Sequence, residues 1–138
     1  MKHEKNVRFN FLKKLFQVEV RPYLEKFVAQ QLNQPLLIEL DPTNRCNYLC
    51  PECISAKVKG NLEISPERLE KLIKEFSLAG VKGVIFIGGG EPLLHSSMPK
   101  PLKQTHDLKM AVGLTTNGSL INRYSKVVWF VKTVNLAV

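Results

Sequence analysis

Three cysteines, Cys46, Cys50 and Cys53, lie within eight positions of one another and directly follow a short apolar run, Leu36 to Leu40. No other cysteine occurs in the chain. An odd number at such close spacing cannot build a disulfide framework and reads instead as a set of thiolate ligands on one loop. Soft ligands with gaps of three and two residues can wrap either an iron-sulfur cluster or a zinc ion. The fourth ligand separates the two. Structural zinc closes its tetrahedron with a further Cys or His, and the candidates here are His3, His95 and His106. None has zinc-finger spacing, although His95 follows the second apolar run. A [4Fe-4S] cluster held by three thiolates leaves one iron open, as a reactive cluster requires, and the flanking strand and glycines favour it. A non-catalytic metal-binding module, holding zinc or a cluster and presenting a basic binding surface, is the alternative.

At 138 residues and 44% hydrophobic content the chain can bury one ordinary core. No apolar stretch approaches the ~20 residues that span a bilayer, and the N-terminus lacks the apolar core of a secretory signal, so a cytoplasmic location is expected. The formal charge of +8 is spread from Lys2 to Lys132 rather than gathered in a block. Nucleic acid is therefore not expected as a partner.

Along the chain, residues 1–33 read as an N-terminal helical extension. Pro22 suits a first helical position, with Leu24, Phe27, Val28 and Leu32 on one face. Phe9, Phe11, Leu12, Leu15 and Phe16 form a more ragged apolar set among Arg8, Lys13 and Lys14. These helices are expected to pack against the open side of the following domain; contact with a membrane surface is the less favoured reading.

From residue 34 to 138 strand and helix patterns alternate. Leu36 to Leu40 is the first strand, and Ser65-Pro66 starts a helix carrying Leu69, Leu72, Ile73 and Phe76 on one stripe and closed by Gly80. Val84 to Ile87 is a second strand running into three glycines. Pro99 and Pro101 limit the next helix to roughly Leu102 through Leu108. Ala111 to Thr115 is a third strand, Asn117-Gly118 a turn, Ser119 to Lys132 a third helix, and Val134 to Val138 a fourth strand. Val127 to Val131 could itself be a strand. This rhythm predicts an α/β fold: a parallel-stranded partial (βα) barrel of about three βα units plus a fourth strand, preceded by N-terminal helices. Ligand chemistry then belongs at the carboxyl ends of the strands. The cysteines, Gly88-Gly89-Gly90-Glu91-Pro92 and Thr116-Asn117-Gly118 all fall there.

Three glycines in a row let a backbone pass close to a ligand. A phosphate loop is disfavoured, because Glu91 would repel the anion and no Lys-Ser or Lys-Thr pair follows. The C-x3-C-x2-C loop after a first strand, joined to Gly89-Gly90-Glu91-Pro92 after the second, resembles the radical S-adenosylmethionine (SAM) superfamily. Asp41-Pro42-Thr43-Asn44-Arg45 and Thr115-Thr116-Asn117-Gly118 agree with members acting on peptides, sugars or cofactor precursors. The resemblance covers roughly Leu36 to Val138. Many members place an aromatic residue before the third cysteine, where this chain has Glu52.

The resemblance implies a [4Fe-4S] cluster on Cys46, Cys50 and Cys53. It implies SAM contacts at Gly89, Gly90 and Glu91, with the Glu91 carboxylate on the amino group, and further contacts at Thr116 and Asn117. The implied chemistry is reductive cleavage of SAM to methionine and a 5′-deoxyadenosyl radical, which takes hydrogen from a small-molecule or peptide substrate. No catalytic side chain beyond the cluster site is needed for the cleavage. Electrons would come from a donor such as flavodoxin or ferredoxin. A complete barrel takes about 200 residues or more. The chain is accordingly expected to be a fragment or a half-barrel of low activity alone, associating through its open sheet edge.

Overall fold

The computed structural model describes residues 21–29, 31, 34–128, 131 and 133–136. Among them are four parallel strands, β1 (Leu37–Leu40), β2 (Gly83–Phe86), β3 (Ala111–Thr116) and β4 (Thr133–Leu136), in the sheet order β1-β2-β3-β4. Sequence order and sheet order coincide, so each strand lies beside the next along the chain, as repeated βα units require.

The register explains the core. Ile38, Val84 and Val112 form one cross-strand row, and Leu40, Phe86 and Leu114 the next. Both rows join the apolar cluster that includes Ile73, Leu93, Met98 and Leu102. Val84 and Phe86 are completely buried. Each such side chain contributes about 1.5–3 kcal/mol relative to its exposed state, so this face anchors the sheet. On the other face Glu39, Ile85 and Gly113 share a row. A β-carbon at position 113 would come within 3.0 Å of the Ile85 side chain, which explains the glycine there.

Helix α2, which covers Pro66–Leu78, begins as its sequence predicts: the Ser65 hydroxyl accepts from the Arg68 N–H at 3.2 Å, Pro66 sits in the first turn, and Leu69 and Ile73 are buried. Gly80 adopts φ 84° just past its end, the left-handed conformation glycine tolerates. Helix α3 (Pro99–Asp107) starts earlier than the sequence reading allowed. Pro99 and Pro101 occupy its first turn, where backbone N–H groups have no partner inside the helix, and so they begin the helix rather than bar it.

The expected third helix over Ser119 to Lys132 is also corrected. Residues 117–120 are taken up by a turn with Gly118 at φ 79°, and the chain then forms a 3-10 turn, Ile121–Tyr124, followed by a short helix, Ser125–Val128. Residues 129, 130 and 132 lie outside the described residues.

The chain divides into two compact units, Met1–Gln34 and Pro35–Val138. In the first unit helix α1 spans Arg21–Val28 and carries an exposed ion pair, Arg21 Nε to Glu25 Oε1 at 3.0 Å. The Phe9 to Phe16 segment and Leu32 lie outside the described residues. No described helix is long and apolar enough to cross a membrane.

Candidate functional site

The cysteine loop is a long excursion whose base is stitched shut just after β1. Asn44 makes most of the closure: its N–H donates to the Leu62 carbonyl at 3.0 Å, its Oδ1 accepts from the Leu62 N–H at 2.8 Å, and its Nδ2 donates to the Val58 carbonyl at 2.8 Å. Thr43, 2% exposed, adds a hydroxyl donation to the Leu62 carbonyl at 3.2 Å and accepts from the Arg45 N–H at 3.1 Å. The three cysteines stand on the loop so closed. All are free and half-buried.

Cys46, Cys50 and Cys53 line one cavity of about 340 Å³, within the usual size of small-molecule sites. Gly88, Gly90, Glu91, Thr115, Thr116 and Asn117 line it too, so the loops after β1, β2 and β3 meet as the topology predicted. Glu52 is on the wall at the position before the third cysteine, and Lys59 lines the same cavity, donating to the Tyr48 carbonyl at 2.7 Å.

The glycines differ in what they do. At Gly90 a β-carbon would lie 2.1 Å from the Arg45 carbonyl oxygen and 2.6 Å from two backbone carbons, so no other residue fits. The close approach that demands glycine is therefore to the root of the cysteine loop, and the Glu91 N–H donates to that same Arg45 carbonyl at 2.7 Å. Gly89 lies outside the cavity lining. Its N–H donates to Asp41 Oδ2 at 3.2 Å, and it faces a shallow groove with Thr43 and Asn44.

Glu91 is 1% exposed and its carboxylate is already engaged. Oε1 accepts from the Leu93 N–H at 3.0 Å and the Thr116 hydroxyl at 2.8 Å; Oε2 accepts from the Asn117 N–H at 2.7 Å. A carboxylate has about four acceptor positions, so one remains, on Oε2. Thr116 in turn accepts from the Gly118 N–H at 3.1 Å. Asn117 reaches the opposite way: its Nδ2 donates to Asn47 Oδ1 at 3.0 Å.

His95 is fully buried, with Nε2 2.7 Å from the Ile64 carbonyl and Nδ1 3.0 Å from the Ser97 hydroxyl. A carbonyl only accepts, so Nε2 carries the proton and Nδ1 takes the hydroxyl's. Both ring nitrogens are occupied, and His95 has no atom left for a metal. Among the described residues no three Cys, His, Asp or Glu side chains converge tightly enough to hold a single ion. Thiolates on one zinc must all approach to about 2.3 Å. Cys46, Cys50 and Cys53 share one cavity wall without forming such a set.

Asp41, Asn44, Asn47 and Ser119 complete the site and were not singled out as site residues in the sequence. Asp41 and Asn44 belong to the flanking motif. Asn47 and Ser119 carried no signal beyond adjacency to Cys46 and to the Asn-Gly turn.

The model of the radical SAM superfamily matches residues 40–136. GTP 3',8-cyclase of Staphylococcus epidermidis is 31% identical over 114 residues, covering 75% of this chain and 33% of the relative. PqqA peptide cyclase of Rhodopseudomonas palustris is 28% identical over 98 residues, covering 70% of this chain and 26% of the relative. The crystal structure of Streptococcus suis SuiB bound to the precursor peptide SuiA superposes with a TM-score of 0.64 at 21% identity, over 97% of this chain and 31% of that one. The chain thus spans about a third of the length of the curated relatives it matches.

Proposed function

The chain belongs to the radical SAM superfamily, and from that premise we propose that it binds a [4Fe-4S] cluster on Cys46, Cys50 and Cys53 and SAM in the adjoining cavity, as the initiating part of a radical enzyme. The observation that carries this reading is the shared wall: three thiols, the glycine loop and the end of β3 line one space. The family works with that cluster and SAM, and when bound they supply the electron and the carbon-sulfur bond that it breaks.

The chain's own part is to hold and orient. The thiolates of Cys46, Cys50 and Cys53 would provide three soft ligands to the cluster. The remaining acceptor position on Glu91 Oε2 suits the ammonium of the methionine moiety, a charge-assisted contact. Gly90 supports the approach by bringing the glycine loop against the root of the cysteine loop. Thr116 and Asn117 hold Glu91 in place and line the same cavity. Gly89 contributes through its bond to Asp41, outside the cavity. Without an aromatic side chain at Glu52, the adenine would rest on backbone.

For the substrate the reading is a peptide or a small molecule. PqqA peptide cyclase and peptide-bound SuiB favour the first, and GTP 3',8-cyclase the second. A cytoplasmic flavodoxin or ferredoxin would supply the electron. Anaerobically reconstituted protein, incubated with SAM and a strong reductant, should release 5′-deoxyadenosine. Colourless protein that carries zinc and yields none would overturn the assignment in favour of a metal-stabilised binding module.

A further inference from the structure

The three loops are joined in a closed ring of hydrogen bonds, and one link in it has no role in the reading above. Arg45 binds Glu91 through backbone, and Glu91 binds Thr116 and Asn117 through its carboxylate. The ring returns to the cysteine loop through Asn47, the residue between Cys46 and Tyr48. Asn117 Nδ2 donates to Asn47 Oδ1 at 3.0 Å, and Asn47 Nδ2 donates to Ser119 Oγ at 2.9 Å. The directions are fixed by one backbone group. The Ser119 N–H can only donate, and it reaches Asn117 Oδ1 at 3.0 Å, so that atom is the oxygen and its neighbour the donor. Asn47 must then present oxygen to Asn117 and nitrogen to Ser119. The Ser119 hydroxyl closes the triad by donating to Asn117 Oδ1 at 2.7 Å.

We propose that Asn47 is a positioning residue: with Asn117 and Ser119 it latches the cysteine loop to the turn after β3, so that the thiols and the groups that hold Glu91 keep one mutual geometry. The stitching at Asn44 and Leu62 fixes only the base of the excursion. Beyond it, Leu49 is 90% exposed and Ile54 fully so, and neither packs against the core that could hold the loop tip. Asn117 is the hub, because its backbone serves Glu91 while its side chain serves Asn47. Displacing the cysteine loop would therefore pull on the same residue that orients the carboxylate. The consequence for the cluster rests on the functional reading above; the latch itself does not.

Thermolysin cleavage of the metal-free protein at Leu49 reads the latch without metal, with the equally exposed Leu78 at the end of α2 as internal control. Loss of net hydrogen bonding of this size should speed local opening, and hence cleavage at Leu49, by about fivefold in Asn47→Ala. Ser119→Ala should speed it in the same direction. Ser119 is 72 positions from Asn47, so a protease subsite effect cannot imitate that result. Asn47→Asp keeps the acceptor for Asn117 and offers a second oxygen to which the Ser119 hydroxyl can donate, so it should stay near the parent rate. Cleavage at Leu78 and the urea midpoint should not move, and reconstituted variants should lose iron to a chelator faster than the parent.

Parent-like cleavage at Leu49 in both alanine variants would overturn the latch. So would a urea midpoint that falls in step with cleavage, because the bonds would then be general stabilisers. Parent protein that holds no iron, with Leu49 cleavage still responding, would sink the cluster reading and leave the latch standing.

Discussion

The backbone N–H of Asn117 donates to Oε2 of Glu91 at 2.7 Å, tying the end of β3 to the glycine loop through a carboxylate that is 1% exposed. Three donors face that carboxylate: the Leu93 N–H, the Thr116 hydroxyl and the Asn117 N–H. In Glu91→Gln one carboxylate oxygen becomes an NH₂, which would face one of these donors. The variant should lose about 1–3 kcal/mol of stability from the unsatisfied buried group. Its SAM affinity should fall while its iron content stays at the parent level. Urea unfolding, calorimetric SAM titration and iron analysis read the three effects separately.

Adjacent glycines should respond very differently to alanine. At position 90 the added carbon meets the Arg45 carbonyl oxygen at 2.1 Å, and backbone rather than a flexible side chain would have to move. At position 89 its nearest neighbour is Val58 Cγ2 at 3.5 Å, an ordinary contact. Gly90→Ala is expected to cost about 3 kcal/mol or more, the upper end of overpacking penalties, whereas Gly89→Ala should cost less than about 1 kcal/mol. Paired urea denaturation curves check the contrast.

His95 serves the fold. Its ring joins the Ile64 carbonyl to Ser97 across the segment that follows Pro92. His95→Ala removes a buried partner and leaves a cavity, with an expected loss of about 2–3 kcal/mol. Metal content per folded chain should not change. A drop in bound metal in protein shown to be folded would restore His95 as a ligand.

The strands were legible because their apolar and β-branched runs are bounded by glycines and polar loops, and their parallel order follows from the alternation with helices. The convergence of cysteines, glycines and Asn117 followed from that order alone. What escaped the sequence was anything set by tertiary partners. Pro99 and Pro101 looked like barriers because their effect depends on where the helix starts, and only the structure shows them in its first turn. Gly90 was expected to make room for a ligand. The space it keeps clear is for the Arg45 carbonyl, a neighbour 45 positions away that no local pattern announces. Asn47 and Ser119 are common polar loop residues, and their pairing across 72 positions exists only once the β1 and β3 loops are side by side.

Low-temperature EPR of the anaerobically reconstituted, dithionite-reduced protein, recorded with and without SAM, tests whether the three cysteines and the cavity beside them form one cofactor site. The expected result is a reduced-cluster signal that changes on adding SAM and is lost, together with most of the iron, in Cys50→Ala. An iron signal indifferent to saturating SAM, or Cys50→Ala protein with parent-level iron, would contradict it.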